Sequence, residues 1–229
     1  MNASDSHPLP QPARLLIAFL LLAFVPATVF DLLERSGLEG SPGLLFGCHL
    51  VGVVALLVFA WKLPSVMAFR PAQVMQAAKA YFAFALLWWP LVVGYLLLMH
   101  AVGLTVEPQP ILVEAAEGGW QSAGNWWNLG NAAILAPVGE EIVFRGYLLG
   151  ALLQVVPSKV AQLIAATAFG LIHGWSYALP TGLLGLLFGW LCVQQRSMLP
   201  AMIAHSIHNA LTFCVVLSWP GLLQLQYPS

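Results

Sequence analysis

The chain has 229 residues, of which 60% are hydrophobic and only 7% are Asp, Glu, Lys or Arg, with a formal net charge of −1. That balance is too apolar for a water-soluble domain of this length, and no nucleic-acid partner is expected. Apolar runs of about 20 residues, the length that crosses a bilayer, recur along the chain, which predicts an all-α, polytopic transmembrane helical bundle.

Residues 1–13 are Pro-rich and nearly uncharged and read as a disordered tail. The first apolar run, Arg14–Phe30, is followed by no good signal-cleavage site (Phe24-Val25-Pro26-Ala27-Thr28), so it reads as an uncleaved span. Further spans are predicted over Leu44–Trp61, Tyr81–Val102, roughly Trp126–Val156, Val160–Tyr177, Pro180–Val193 and Leu199–Trp219. The count is about seven, within a range of six to eight, and residues 14–229 form a single membrane domain whose core covers approximately 126–219. Between these runs, Lys62–Lys79 reads as a basic segment on the membrane surface, and 103–125 as an external loop. Trp126 and Trp127 mark the headgroup level where the chain re-enters. Seven spans with a cytoplasmic N-terminus place six of the eight basic residues inside, Arg35 outside and Arg145 within the membrane. Cys48, Cys192 and Cys214 lie in apolar spans without metal-like spacing, and read as packing residues.

The fourth run is about 30 residues, roughly 46 Å of helix, which exceeds the membrane. It is expected to tilt or break, with Pro137-Val138-Gly139 as the break and the following acids at a new helix N-terminus. There the sequence Glu140-Glu141-Ile142-Val143-Phe144-Arg145 sets three charges in apolar surroundings. A charge at the centre of a membrane helix costs about 2.5–3.5 kcal/mol on insertion scales, so such a cluster is paired, wetted or chemically active. Glu141 and Arg145 are four apart and pair on one face. Glu140 is rotated by about 100° and is left free. One carboxylate is neutralised and the other is available as a base; the alternative is a packing network of all three.

Two later runs carry polar groups. His173 follows Phe169 by one turn in Phe169-Gly170-Leu171-Ile172-His173. Alone it reads as a satisfied core histidine, but beside Glu140 it becomes a second partner for a water molecule. In His205-Ser206-Ile207-His208-Asn209, His205 and Asn209 share a face, with His208 close to it. A neutral histidine and an asparagine can donate to an oxyanion, or clamp helices together. Counted from the inner ends, the α-carbons of His173 and His205 differ by roughly 12 Å in depth, yet Glu140, His173 and His205 are expected to converge on one cavity.

These motifs resemble the CPBP family of CAAX proteases and bacteriocin-processing enzymes, also called Abi. The family's EExxxR, FxxxH and HxxxN/D patterns stand in order on separate predicted spans, within Asn131–Leu211. The resemblance implies a glutamate-type intramembrane peptidase without a cofactor. In it Glu140 and His173 activate water, His205 and Asn209 form the oxyanion hole, and Glu141 and Arg145 support them. Phe169 is expected to shape the cavity wall. The substrate is expected to be a membrane-anchored protein or peptide, in a prokaryotic cell membrane, with the oligomeric state open. Three other readings stand beside this one: a zinc protease built on Glu and two His, a proton-coupled carrier, and a non-catalytic scaffold or immunity protein. The zincin helix spacing and the internal repeats of carriers are both missing from the sequence.

Overall fold

The computed structural model describes residues 11–36, 41–60, 71–104 and 106–226. Residues 1–10 of the predicted tail 1–13 and residues 62–70 of the basic segment lie outside them, and residues 11–13, read as tail, are already helix. We number the helices α1 (Gln11–Arg35), α2 (Pro42–Ala60), α3 (Pro71–Ala101), α4 (Pro110–Gly118), α5 (123–152), α6 (Ser158–Ile172), α7 (Ala178–Gln195), α8 (Leu199–Ser218) and α9 (Gly221–Gln226). A single 3₁₀ turn, Trp175–Tyr177, joins α6 to α7.

Among the described residues, four helices are long and apolar enough to cross a membrane: Pro42–Ala60, Pro71–Ala101, Trp175–Gln195 and Leu199–Ser218. The expected polytopic bundle is therefore present. α1 and α5 are also long enough, α5 measuring about 45 Å but carrying the three charges. α6 is shorter than its predicted span. Its 15 residues reach only about 22 Å, less than the ~30 Å hydrocarbon core, because the helix stops at His173. The outer surface is apolar, with Leu86 and Leu87 exposed by 78% and 77%. Such side chains suit lipid, where no water asks for a polar face.

Two elements depart from expectation. α3 starts at Pro71, a whole ten-residue segment before Tyr81, so Pro71–Lys79 is helix rather than surface connection. Proline is favoured at the first helical position, and the early turns then bury Gln73, whose Nε2–H reaches the Gln195 carbonyl at 3.4 Å. The expected loop 103–125 contains α4. Pro110 opens it, and Ala115 with Ile111 and Leu112 packs against Phe213, Val216 and Leu217 of α8. Trp126 and Trp127 are both exposed rings, as an interfacial position requires.

α8 is the central helix, packed against α3, α7 and α5, while α1 pairs with α2 and α6 with α7. The main core joins Tyr81 and Trp88 of α3, Ile142–Phe144 of α5, Phe169 of α6 and Phe188 of α7. The α6–α7 hairpin is tight. A Cβ on Gly170 would lie 2.2 Å from the Ala178 carbonyl oxygen, so only glycine lets the two backbones approach.

Candidate active site

α5 is not broken. Its junction residues Gly130, Leu135, Ala136, Glu141, Ile142 and Gly150 all hold right-handed helical angles. The expected break at Pro137, and the helix start beneath the glutamates, are corrected accordingly. The helix absorbs the proline by widening. Asn131–Leu135 winds as a π segment, and Ala136 N–H reaches back five residues to the Asn131 carbonyl. In that register the next carbonyl, Ala132, falls to Pro137, which has no N–H to give. The missing bond comes from α8: Asn209 Nδ2–H donates to Ala132 O at 2.8 Å. A second π segment, Ile142–Leu149, follows the acidic pair.

The helical-wheel argument for the charges holds in this geometry. Arg145 Nη1–H donates to Glu141 Oε1 at 3.1 Å, and Nε lies 3.1 Å from Oε2 at an ion-pair distance outside hydrogen-bond alignment. Arg145 Nη2–H donates to the Gly185 carbonyl of α7 at 3.0 Å, and its guanidinium lies 4.5 Å from the Phe169 ring centroid. Both charged side chains are essentially inaccessible, 1% and 0% exposed, so the pair is enclosed in protein. Glu140 turns away. Its Oε2 is buried, has no hydrogen-bond partner among the described residues, and lies 3.8 Å from His173 Nε2 and 3.9 Å from His205 Nε2.

His173 caps α6. Its own N–H bonds Gly170 O, which frees the Phe169 carbonyl, and the ring folds back so that Nδ1–H donates to that carbonyl at 2.7 Å. Folding back over one turn, about 5 Å, closes part of the depth gap to His205. The following Gly174 has φ +96°, a left-handed angle that turns the chain toward α7. His205 lies stacked on Phe188, with ring centroids 4.7 Å apart and planes at 19°, and Nδ1–H donates to Glu141 Oε1 at 2.9 Å.

These contacts decide the hydrogens. A carbonyl and an ionised carboxylate only accept, so both histidines carry hydrogen on Nδ1. In its neutral form each then presents a bare Nε2 toward Glu140. With Nδ1–H of His205 committed to Glu141, its Nε2 donates only when the ring holds both protons. Asn209 keeps one amide hydrogen free after serving Ala132.

Glu140, Phe169, His173, His205, His208 and Asn209 all line one cavity of about 330 Å³. The expected convergence is therefore observed, and Phe169 forms wall as anticipated. Away from the polar end the lining becomes apolar, with Trp88, Trp89 and Val92 of α3 facing Phe213 and Val216 of α8. Among the described residues no cluster of three or more His, Cys, Asp or Glu has metal-holding geometry. Cys48, Cys192 and Cys214 are free thiols, as the packing reading expects.

Sequence reasoning missed the contribution of α3. Gln73, Ala77, Tyr81, Ala85, Trp88, Val92 and Leu96 form its buried stripe, spaced by three and four residues. Tyr81 and Trp88 are the two on that stripe with aromatic hydrogen-bonding tips, and that pattern was the available signal.

Residues 122–211 match the family model described as type II CAAX prenyl endopeptidase Rce1-like. No curated protein and no solved structure matches the chain. The matched segment contains the three motifs and every polar group that meets at Glu140. Residues 122–211 are thus similar to the Rce1-like domain of a CAAX intramembrane peptidase family, consistent with the CPBP family that the motifs resemble.

Proposed function

We propose that the chain is a glutamate-type endopeptidase that hydrolyses a peptide bond of a membrane-anchored protein or peptide. One observation carries this reading: a buried Glu140 oxygen with no hydrogen-bond partner among the described residues sits within 4 Å of two histidine nitrogens. Two acceptors 3.8 Å apart, Glu140 Oε2 and His173 Nε2, suit a water that donates one hydrogen to each. Its oxygen lone pair then attacks the scissile carbonyl carbon while Glu140 takes the proton. The carbonyl oxygen becomes an anion, and collapse of the tetrahedral adduct expels the amine, which recovers the proton from Glu140. Charge on that oxygen is met by the free amide hydrogen of Asn209 and by His205 in its doubly protonated form, which Glu141 orients. Arg145 holds Glu141 in turn. No cofactor is needed for these steps.

A hydrophobic C-terminal or signal-type segment suits the apolar half of the cavity; prenylated CAAX termini are the substrates named for the matched family. The distribution of basic residues supports an N-terminus on the cytoplasmic side, and the small, loop-poor architecture a prokaryotic cell membrane.

The test is cleavage of tagged membrane-anchored peptides in liposomes by wild type, Glu140→Ala and His205→Ala, each with and without chelator. Loss in both variants with no effect of chelator is the expected result. Activity abolished by chelator and restored by zinc would replace this reading with a zinc protease. Cleavage by Glu140→Ala at the wild-type rate would refute it.

A further inference from the structure

The oxyanion sites just described are short of hydrogens. His205 has its Nδ1–H on Glu141, and its Nε2 faces the Glu140 carboxylate. Asn209 has spent one of two amide hydrogens on Ala132. A third polar side chain, His208, lies three residues beyond His205 on α8 and lines the same cavity.

His208 is held by α3. The Tyr81 hydroxyl meets its Nδ1 at 3.2 Å, and Trp88 packs edge-to-face on the ring, centroids 4.7 Å apart with planes at 89°. The Tyr81 side chain is fully buried and its hydroxyl has no other acceptor among the described residues, so its one hydrogen is satisfied only by donating to His208 Nδ1. That direction leaves the imidazole hydrogen on Nε2. Tyr81 is not part of the cavity wall whereas His208 is, so the tethered nitrogen is turned toward α3 and Nε2 is the nitrogen left for the cavity. Among the described residues no side chain or carbonyl bonds Nε2.

His205 and His208 therefore have opposite tautomers, three residues apart. An acceptor on Oε1 of Glu141 fixes the first; a donor on Tyr81 fixes the second. We propose that His208, through Nε2–H, donates a hydrogen bond to the anion formed on the scissile carbonyl oxygen, with Tyr81 as the positioning residue that sets its tautomer. This assignment rests on the peptidase reading above. A neutral donor held in place before the reaction needs no proton uptake, which is what oxyanion stabilisation rewards.

The test uses the full-length protein in liposomes with two fluorogenic probes, a peptide ending in a farnesylated CAAX sequence and one ending in an unmodified apolar segment. His208→Phe keeps an aromatic ring against Trp88 but has no N–H; it is expected to lower kcat about 10²-fold with little change in KM. His208→Gln, whose amide donates from similar reach, is expected to recover most of kcat. Tyr81→Phe is expected to fall between them. Ring ¹⁵N spectra of histidine-labelled protein, assigned with His208→Gln, are expected to show hydrogen on Nε2 of His208, and a redistribution toward Nδ1 in Tyr81→Phe.

Wild-type kcat in His208→Phe overturns the proposal, as does hydrogen on Nδ1 in the wild-type spectrum. Equal losses in His208→Phe and His208→Gln, both with lowered melting temperatures, assign a packing role and overturn it too. Glu140→Gln separates the two levels. If it cleaves like wild type, or if wild type cleaves neither probe, the peptidase reading falls and the His208 role with it. If Glu140→Gln is dead and His208→Phe is unaffected, only the His208 role falls.

Discussion

The enclosed pair Glu141–Arg145 allows stability and chemistry to be separated. Arg145→Met removes the 3.1 Å bond to Glu141, the 3.0 Å bond to the Gly185 carbonyl and the contact 4.5 Å over Phe169. What remains is a carboxylate with 0% exposed side chain whose surviving partner is His205. Stranding one member of a buried pair costs about 3–5 kcal/mol. That is about two to three and a half orders of magnitude in the folded-to-unfolded ratio. Replacing both members at once, as in Glu141→Leu/Arg145→Met, strands no charge and is expected to stay within about 1 kcal/mol of wild type. The double variant should still lose most cleavage, because His205 no longer has the acceptor that fixes its Nδ1–H. The assay pairs denaturant-titrated unfolding in one detergent with turnover of the same preparations. The reasoning is refuted if Arg145→Met unfolds like wild type, or if the double variant is no more stable than the worse single one. Full activity in a folded double variant would refute the orienting role of Glu141.

Three further outcomes follow from the backbone. Gly170→Ala drives a Cβ to 2.2 Å from Ala178 O and is expected to cost about 1–3 kcal/mol by parting α6 from α7; an unchanged melting temperature would show that the hairpin can give. Gly174→Ala forces a left-handed angle of +96° on a residue with a Cβ, at about 1–2 kcal/mol, and should lower kcat by moving His173; equal kcat with equal stability would contradict this. Asn209→Ala orphans the Ala132 carbonyl at about 1–3 kcal/mol, and Pro137→Ala, which restores an N–H within reach, should recover part of that loss in the double variant. Strictly additive unfolding energies would refute that coupling.

How far the site could be read from the chain depended on whether the determinants were local. Glu141 and Arg145 are four apart, and helix geometry alone pairs them and frees Glu140; the structure has both features. Phe169 and His173 are likewise one turn apart and in ring contact at 4.7 Å. Pro137 was read as a break because an interior proline removes a helical bond, and within the chain around it nothing replaces that bond. The replacement is Asn209, on another helix, so the intact α5 is visible only once α8 is packed against it. α4 was hidden for the opposite reason. At nine residues it is short, and its apolar face has meaning only against Phe213 and Val216.

Proton placement is the deepest non-local feature. His205 and His208 are the same residue type on the same helix, and spacing cannot decide which ring nitrogen of each carries the hydrogen. Their neighbours do. Glu141, already paired with Arg145, accepts from His205; the buried Tyr81 hydroxyl, with no other acceptor among the described residues, gives to His208. Each direction is set by a residue that does not face the reacting atoms. A buried, nearly uncharged bundle makes such settings durable, since reversing either tautomer would leave a polar atom unpaired where water cannot repair it. On the mechanism proposed above, Glu140 Oε2 and His173 Nε2 make a water side of the cavity, and Asn209, His208 and doubly protonated His205 a carbonyl side, a division that follows from hydrogen positions that no motif records.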